Sequence, residues 1–217
     1  MSDDSVHVFD CDGVILDSNE SKLFALKATL TYLGCPKSFI IWAVEEFRCN
    51  FGRTRTAHFQ VFTKYRCSSG FILDESLQNN FLDYYGRKVR ELYASCPIID
   101  ETYLFLTQRS VNAVYVVSAS DQGELRELLP LRIDGIDPQK IYGGPTQKFQ
   151  NIIEVADLVE AKNITFYGDS VQDAKAAIQA GVTFIGLYKY SADPDSLKYF
   201  CKQNNLLIFK SCLEINL

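Results

Sequence analysis

Beyond residue 110 the chain alternates between short apolar segments and helical segments, which leaves few possible folds. Strands are predicted over residues 112–118, 140–142, 164–167, 183–187 and 206–209. Helical patterns are predicted over residues 100–107, 121–129, 148–160, 171–180 and 196–203. Strands that alternate with helices form a parallel sheet with helices on both faces. The predicted fold class is therefore α/β, with a Rossmann-like core.

An earlier apolar run, residues 6–9, ends in two aspartates, Asp10 and Asp12, and breaks at Gly13. Residues i and i+2 of a strand point to the same side, so both carboxylates can face one ligand. Such strand ends are where open α/β sheets bind ligands. Two turn-forming aspartates at a solvated strand end would have the same sequence, so the motif alone leaves both interpretations open.

The segment between this strand and the later ones is helical. Leu23 to Leu33 follow a helical period, with Asp17 and Glu20 placed like a capping box, and more helices are predicted over 39–47, 54–65 and 77–93. Because the first strand should join the later sheet, this block is predicted to be an insertion. We expect a core of residues 1–17 and 96–217, with a helical cap of residues 18–95 over the edge of the sheet.

Charge and composition argue against several classes of protein. A net charge of −5 disfavours a nucleic-acid partner, which would need a basic surface. No apolar run reaches the roughly 18 to 20 residues that span a bilayer, and the acidic start lacks the features of a secretory signal. Seven cysteines without a C-x-x-C pair fit reduced thiols. We expect a cytoplasmic protein with no membrane partner, either a monomer or a homodimer.

A second strand end also carries acidic residues, in the segment G-D-S-V-Q-D of residues 168–173. Ser170 and Asp173 have the spacing of a capping box, which needs no function. That explanation leaves Asp169 without a structural reason to sit at the strand end. Asp10 and Asp169 on neighbouring strands would offer hard oxygen ligands, which suit Mg²⁺ better than zinc.

An acidic site needs cations and donors if it is to bind an anionic substrate. Lys148, just before a predicted helix, is a candidate cation, although it could be an ordinary solvated lysine. Ser118 ends a predicted strand, and its hydroxyl and the amide of Ala119 could bind an oxyanion. Ser118 could equally be a turn or N-cap serine.

In this order, the motifs D-x-D-G, a strand ending in Ser, a lysine before a helix and G-D-S-x-x-D resemble those of the haloacid dehalogenase-like hydrolases. The helical insert directly after the first motif resembles the subgroup with a C1 cap, which includes phosphoglycolate phosphatase-like enzymes and β-phosphoglucomutase. The resemblance covers nearly the whole chain. It implies a Mg²⁺-dependent phosphatase acting on a small phosphorylated metabolite, such as a sugar or polyol phosphate. A phosphomutase is the nearest alternative, and a catalytically idle binding module is a further one.

The resemblance also implies roles for individual residues. Asp10 would be the nucleophile that forms an aspartyl phosphate, and Asp12 the general acid and then the base. The family's dehalogenases need no proton donor at the position of Asp12, so dehalogenation is not expected. Mg²⁺ would be held by Asp10, the backbone carbonyl of Asp12 and Asp169. Asp173 would be a further ligand, would hold a metal-bound water, or would contact the ligands from outside. The phosphoryl group would be bound by Ser118, Ala119 and Lys148.

The segment G-R-T-R-T-A-H of residues 52–58 resembles the cap segment in which phosphonoacetaldehyde hydrolase carries its Schiff-base lysine. Arg55 stands in that place, and a guanidinium stays protonated and cannot form an imine. Cleavage of a C–P bond is therefore not expected. Arg53, Arg55 and His58 could bind a polar or anionic part of the substrate, or could be solvated helix residues.

Overall fold

The computed structural model describes residues 5–67, 70–107, 114–159 and 163–215. Within these ranges, six strands form one parallel sheet of order β3-β2-β1-β4-β5-β6. The strands are β1 (Ser5–Phe9), β2 (Val114–Asp121), β3 (Ile141–Gly144), β4 (Asn163–Gly168), β5 (Thr183–Leu187) and β6 (Leu207–Phe209). The α/β class is confirmed. Residues 112 and 113, with which the second strand was predicted to begin, lie outside the described ranges.

The helices agree with the predicted segments to within a few residues. They are α1 (Asn19–Tyr32), α2 (Lys37–Arg48), α3 (Arg55–Lys64), α4 (Gln78–Tyr93), α5 (Asp100–Thr107), α6 (Gln122–Leu128), α7 (Lys148–Val159), α8 (Val171–Ala180) and α9 (Pro194–Gln203). Residue 160, the predicted end of α7, lies outside the described ranges. No helix in the described parts of the chain is both long and apolar enough to cross a membrane.

Helices cover both faces of the sheet. The side chains of β1 alternate between these two faces. Val6 and Val8 belong to a buried cluster that includes Ile152 of α7 and Leu197 of α9. Phe9, which points to the opposite face, belongs to a second cluster with residues of α5 and α6. Burial on both faces explains why these strands read as continuous apolar runs rather than alternating ones.

Helices α1 to α4 lie between β1 and α5 in the chain and pack on one another through α1–α2, α1–α4 and α3–α4 contacts. The segments that lead into and out of this block are adjacent, since the Asp17 amide donates to the Pro97 carbonyl at 2.9 Å. The Ile99 amide likewise donates to the Ile15 carbonyl at 2.9 Å. Neighbouring ends suit an insertion, although the boundaries at residues 18 and 95 stay a prediction.

The capping box predicted for α1 is wrong. The helix begins at Asn19 with Ser18 as its N-cap residue, and no side chain among the described residues caps it. The hydroxyl of Ser18 instead donates to Asp12 Oδ1 at 2.6 Å. Glu20 pairs with Arg48 at 2.9 Å. The hydroxyl that could have capped the helix is bound by the carboxylate of the preceding turn. At α8, by contrast, Ser170 and Asp173 do form the predicted capping box.

Candidate active site

A small cavity of about 20 Å³ lies at the carboxyl edge of the sheet, beneath helices α2 and α3. Most of the residues that the sequence indicated line it together. They are Asp10, Asp12, Arg53, His58, Ser118, Ala119, Lys148 and Asp169. The carboxyl ends of β1, β2 and β4 thus meet residues of the inserted helices at one place, as expected for a ligand site in a parallel sheet.

Lys148, the first residue of α7, joins two of the acidic side chains. Its ammonium lies 2.9 Å from Asp10 Oδ2 and also binds Asp173 Oδ1. All three side chains are at most 5% exposed, so the charges are poorly screened by water. The two carboxylates raise the pKa of Lys148 against the lowering effect of burial, so this lysine remains a cation. The candidate nucleophile and the candidate cation are therefore in contact.

Asp10, Asp169 and Asp173 form a buried acidic cluster in which one carboxylate oxygen from each lies within 4.8 Å of the others. Burial, together with the charge of Asp173, raises the pKa of Asp10 to about 7. Burial and the same neighbour also raise the pKa of Asp169. The single Lys148 cation leaves an excess of negative charge. Hard oxygen donors with such an excess fit a divalent cation of the Mg²⁺ type.

Asp173 has a second function besides its contact with Lys148. Its Oδ2 accepts hydrogen bonds from the amides of Asp169 and Ser170, at 3.2 Å and 3.1 Å, and from the Ser170 hydroxyl at 2.7 Å. Asp173 therefore holds the turn that presents Asp169. Both explanations considered for Asp173, helix capping and participation in the site, apply at once.

The turn after β1 comes unusually close to Asp169. Gly13 has φ +73°, and a Cβ atom at this position would lie 2.1 Å from Asp169 Oδ2. Any side chain would collide with that carboxylate, and the left-handed backbone conformation also favours glycine. Asn19 completes the contact, because its Nδ2 donates to Asp169 Oδ2 at 2.8 Å. The glycine of D-x-D-G is thus required by the approach of the second acidic strand end.

Asp12 is held by four donors. Its Oδ1 accepts from the Ser18 hydroxyl and from the Tyr93 hydroxyl, and its Oδ2 accepts from Lys22 at 2.5 Å and from Ser120 at 3.0 Å. Burial by itself would raise the pKa of Asp12, but the Lys22 ammonium and these hydrogen bonds lower it to about 2. The two aspartates of the first motif are therefore in different electrostatic environments. Different environments suit different roles.

The end of β2 supplies the expected oxygen and nitrogen donors. Ser118 is 1% exposed and lines the cavity with Ala119. Its Oγ accepts the Ser120 amide at 3.2 Å. The hydroxyl hydrogen of Ser118 thus remains able to turn toward a bound oxyanion. The strand continues to Asp121, so Ser118 lies within it and is not the N-cap of α6, which is Asp121.

His58 faces the cavity from α3. Its ring stacks on Phe47 with centroids 4.0 Å apart, and the residue is 1% exposed. Among the described residues, neither ring nitrogen of His58 has a hydrogen-bond partner. Burial, reinforced by Arg53 and Lys22, lowers the pKa of His58 to about 3, so the ring is neutral. A neutral, unpartnered imidazole at a cavity wall can bind a polar group of a ligand.

Arg55 is placed differently from Arg53 and His58. Its guanidinium forms a two-pronged ion pair with Glu124 of α6, at 2.9 Å and 2.6 Å, outside the residues that line the cavity. Gly86 makes room for this pair, because a Cβ atom there would lie 3.1 Å from Glu124 Oε1 and 3.2 Å from Arg55 Nη1. Arg55 therefore links the inserted helices to the core in this conformation, and its predicted contact with substrate would require breaking that pair.

Sequence reasoning missed several residues of the site. Lys22, Phe47, Phe51 and Gly52 line the cavity, while Asn19, Tyr93 and Ser120 hold its carboxylates. One signal existed for Lys22, which lies four residues before the buried Leu26 and seven before the buried Thr29. A lysine on the buried face of a helix normally needs a partner. Tyr93 gave no comparable signal.

No family model matches the sequence, and no curated protein does either. Solved structures do resemble it. One is a hydrolase from Pseudomonas syringae, with a TM-score of 0.75, 15% identity, and coverage of 96% of this chain and 94% of that one. A HAD hydrolase, family IA, variant 3, from Entamoeba histolytica has a TM-score of 0.73 at 14% identity, covering 98% and 96% of the two chains. A predicted phosphatase from Clostridium acetobutylicum has a TM-score of 0.75 at 16% identity, covering 97% and 95%.

At 14–16% identity these similarities show a shared fold. They extend over nearly the full length of both partners, so the inserted helices as well as the sheet take part. The chain therefore shares the fold of these solved structures, two of which are described as hydrolases and one as a predicted phosphatase.

Proposed function

We propose that the protein is a Mg²⁺-dependent phosphatase that hydrolyses a small phosphorylated metabolite through an aspartyl-phosphate intermediate. The observation that carries this proposal is the contact between Lys148 Nζ and Asp10 Oδ2, 2.9 Å apart in a buried site. A carboxylate can attack a phosphate dianion only where nearby cations offset the repulsion between them. Lys148 is such a cation, already in contact with the nucleophile.

The described residues support a two-step reaction. Asp10 attacks phosphorus, while the Ser118 hydroxyl, the Ala119 amide and Lys148 bind the phosphoryl oxygens. The carboxylate of Asp12, with a pKa of about 2, is paired with Lys22, and this pair would provide the proton for the leaving oxygen and later accept one from the attacking water. Asp10, the Asp12 carbonyl and Asp169 would hold Mg²⁺, with Asp173 beside them. When bound, the ion would neutralise charge on the phosphoryl group and orient it.

The residues that line the cavity favour a small, partly polar leaving group. On the cap side, the aromatic rings of Phe47 and Phe51 lie together with Arg53 and His58. Such a wall can contact carbon atoms and also bind hydroxyl or anionic groups. A sugar or polyol phosphate has both, which supports this substrate class.

A phosphomutase of the β-phosphoglucomutase type is the nearest alternative, because it would use Asp10 and Asp12 in the same way. The two differ in whether the phosphoryl group passes to water or returns to the substrate. A binding module without catalysis is disfavoured, since it has no need of a buried lysine paired with Asp10.

The purified protein should be incubated with a panel of small phosphate esters in Mg²⁺ and in EDTA, with free phosphate and sugar isomers followed separately. We expect release of phosphate from at least one ester, dependent on Mg²⁺ and abolished in Asp10→Asn. Isomer formed from glucose 1-phosphate without free phosphate would favour the mutase. Activity that survives both EDTA and Asp10→Asn would refute the mechanism.

A further inference from the structure

Lys22, in the first turn of α1, is an inserted-helix residue whose ammonium lies inside the candidate active site. Its Nζ donates to Asp12 Oδ2 at 2.5 Å and to Ser120 Oγ at 2.8 Å. The side chain is 11% exposed, and Lys22 lines the cavity. An ammonium has three N–H donors, and these two contacts leave one of them to face the cavity.

The position of Lys22 differs from that of Lys148. Lys148 binds Asp10 and Asp173, on the side of the nucleophile and the acidic cluster. Lys22 binds the carboxylate assigned to the leaving oxygen, and it approaches from the cap. The site therefore has one buried and one largely buried lysine, Lys148 beside Asp10 and Lys22 beside Asp12.

Asp12 by itself is poorly placed to stabilise the negative charge that forms on the leaving oxygen. Its two oxygens already accept hydrogen bonds from Ser18, Tyr93, Lys22 and Ser120. A leaving oxygen that approaches Asp12 Oδ2 also comes within reach of Lys22, which is bound to that same atom. A cation at this point would stabilise negative charge that forms as the bond to phosphorus breaks.

We propose that Lys22 is a catalytic residue that contacts the leaving-group oxygen and neutralises the charge that develops on it. This inference rests on the proposed phosphatase reaction. In the first step the bond between Asp10 and phosphorus forms, the bond from phosphorus to the leaving oxygen breaks, and its electron pair stays on that oxygen. The oxygen takes one proton from the Asp12–Lys22 pair. In the second step water attacks phosphorus, the Asp10–phosphorus bond breaks, and the proton lost by water returns to the pair.

Leaving-group dependence tests this role. Acetyl phosphate and glycerol phosphate are both small. Acetate leaves as a stable anion, whereas the glycerol alkoxide must be protonated or stabilised by a cation. For Lys22→Met we expect kcat/KM to fall about 100-fold with glycerol phosphate and only slightly with acetyl phosphate. Turnover of acetyl phosphate also shows that the variant is folded with an intact nucleophile. Lys22→Gln, measured in parallel, keeps a hydrogen-bond donor and should show the same selective loss.

Lys27→Met is the matched control, because Lys27 lies on the exposed face of the same helix. It should leave both esters unaffected, and Lys22→Arg should recover part of the glycerol phosphate activity. Equal losses with the two esters, or no loss with either, would overturn the role of Lys22 and leave the proposed function intact. If the wild type does not hydrolyse glycerol phosphate, the alkyl phosphate of the panel that it hydrolyses fastest takes its place. If the wild type hydrolysed no ester of the panel, the proposed function would fail, and this inference with it.

Discussion

The Lys148 ammonium joins Asp10 at the end of β1 to Asp173 in the first turn of α8. One buried cation thus connects two elements that lie far apart in the chain. Without it, three carboxylates would lie together with no opposite charge in contact with Asp10. The arrangement places a fixed positive charge where a phosphoryl group would have to approach.

Replacement of Lys148 should remove most of the activity. In Lys148→Met we expect kcat with acetyl phosphate to fall at least 100-fold or so, because the approach of the phosphate dianion to Asp10 is no longer offset. Lys202→Met, an exposed lysine of α9, serves as the control and should behave as the wild type. A Lys148→Met enzyme with a kcat within a few-fold of wild type would rule out this role.

Magnesium should stabilise the fold through the acidic cluster. At about 100 times its Kd, a ligand that binds only the native state adds about 2.7 kcal/mol, which corresponds to a rise in Tm of about 5 to 10 °C. We expect this rise for the wild type and its loss in Asp169→Asn, as followed by differential scanning calorimetry. Glu214→Gln, at an exposed acid far along the chain, should keep it. An equal shift in Asp169→Asn would place the ion elsewhere.

We expect the ion pair between Arg55 and Glu124 to stabilise the fold, so that the effect of replacing one residue depends on whether the other is present. The side chains are 14% and 9% exposed, so removal of one partner leaves a largely buried charge and should cost about 3 kcal/mol. The double variant Arg55→Met with Glu124→Leu should recover much of this loss. Urea denaturation measures the free energy of unfolding of the wild type, the two single variants and the double variant. Strictly additive effects would mean that the two residues do not interact.

The exposed pair between Arg87 and Asp83 is the comparison for this cycle. Its side chains are 64% and 69% exposed, at an N–O distance of 2.9 Å. Exposed pairs typically contribute less than about 1 kcal/mol. Similar distances with different burial should therefore give different coupling energies.

Much of the site could be predicted because strand ends have a simple geometry. The carboxyl ends of parallel strands meet at one edge, so Asp10, Ser118 and Asp169 had to lie near one another once the strands were identified. Lys148 followed because it begins the helix after β3. The chain order of the motifs was thus sufficient to predict these positions without knowledge of any side-chain contact.

The remaining site depends on tertiary contacts that have no local pattern. Tyr93 reaches Asp12 only because the C-terminal end of α4 lies against the turn that follows β1, a geometry that helical periodicity does not encode. The same is true of the pairing of Arg55 with Glu124. The capping box at Asp17 failed for a related reason, because the hydroxyl of Ser18 is used by Asp12. In each case the partner lies outside the local helical pattern on which the prediction was based.

Stability should fall in mild acid because of His58. Its pKa is about 3 in the folded protein against 6.5 for the unfolded chain. Between these values the unfolded state binds a proton and the native state does not, so the free energy of unfolding falls as the pH falls below 6.5. The loss amounts to about 1.4 kcal/mol per pH unit, or about 2 kcal/mol at pH 5. Burial opposes protonation of His58 most strongly, and the positive charges of Arg53 and Lys22 add to it.

His58→Phe, which keeps a ring against Phe47, isolates this contribution. Other titrating groups, including Asp10 with its raised pKa, are common to both proteins and cancel in the difference. Between pH 7 and pH 5 the variant should lose less stability than the wild type in urea unfolding. Parallel pH profiles would show that His58 is not buried in the neutral form.

The most direct test of the proposed reaction is to trap the phosphorylated enzyme. Asp12→Asn should be mixed with acetyl phosphate and Mg²⁺, quenched in acid and digested for mass spectrometry. Because acetate leaves without help while the attacking water needs a base, the phosphoenzyme should accumulate in this variant. We predict one phosphoryl group on the peptide that contains Asp10, and none when Asp10→Asn is added. Turnover of acetyl phosphate without any phosphorylated peptide, or a phosphoryl group on another residue, would contradict the assignment of Asp10 as the nucleophile.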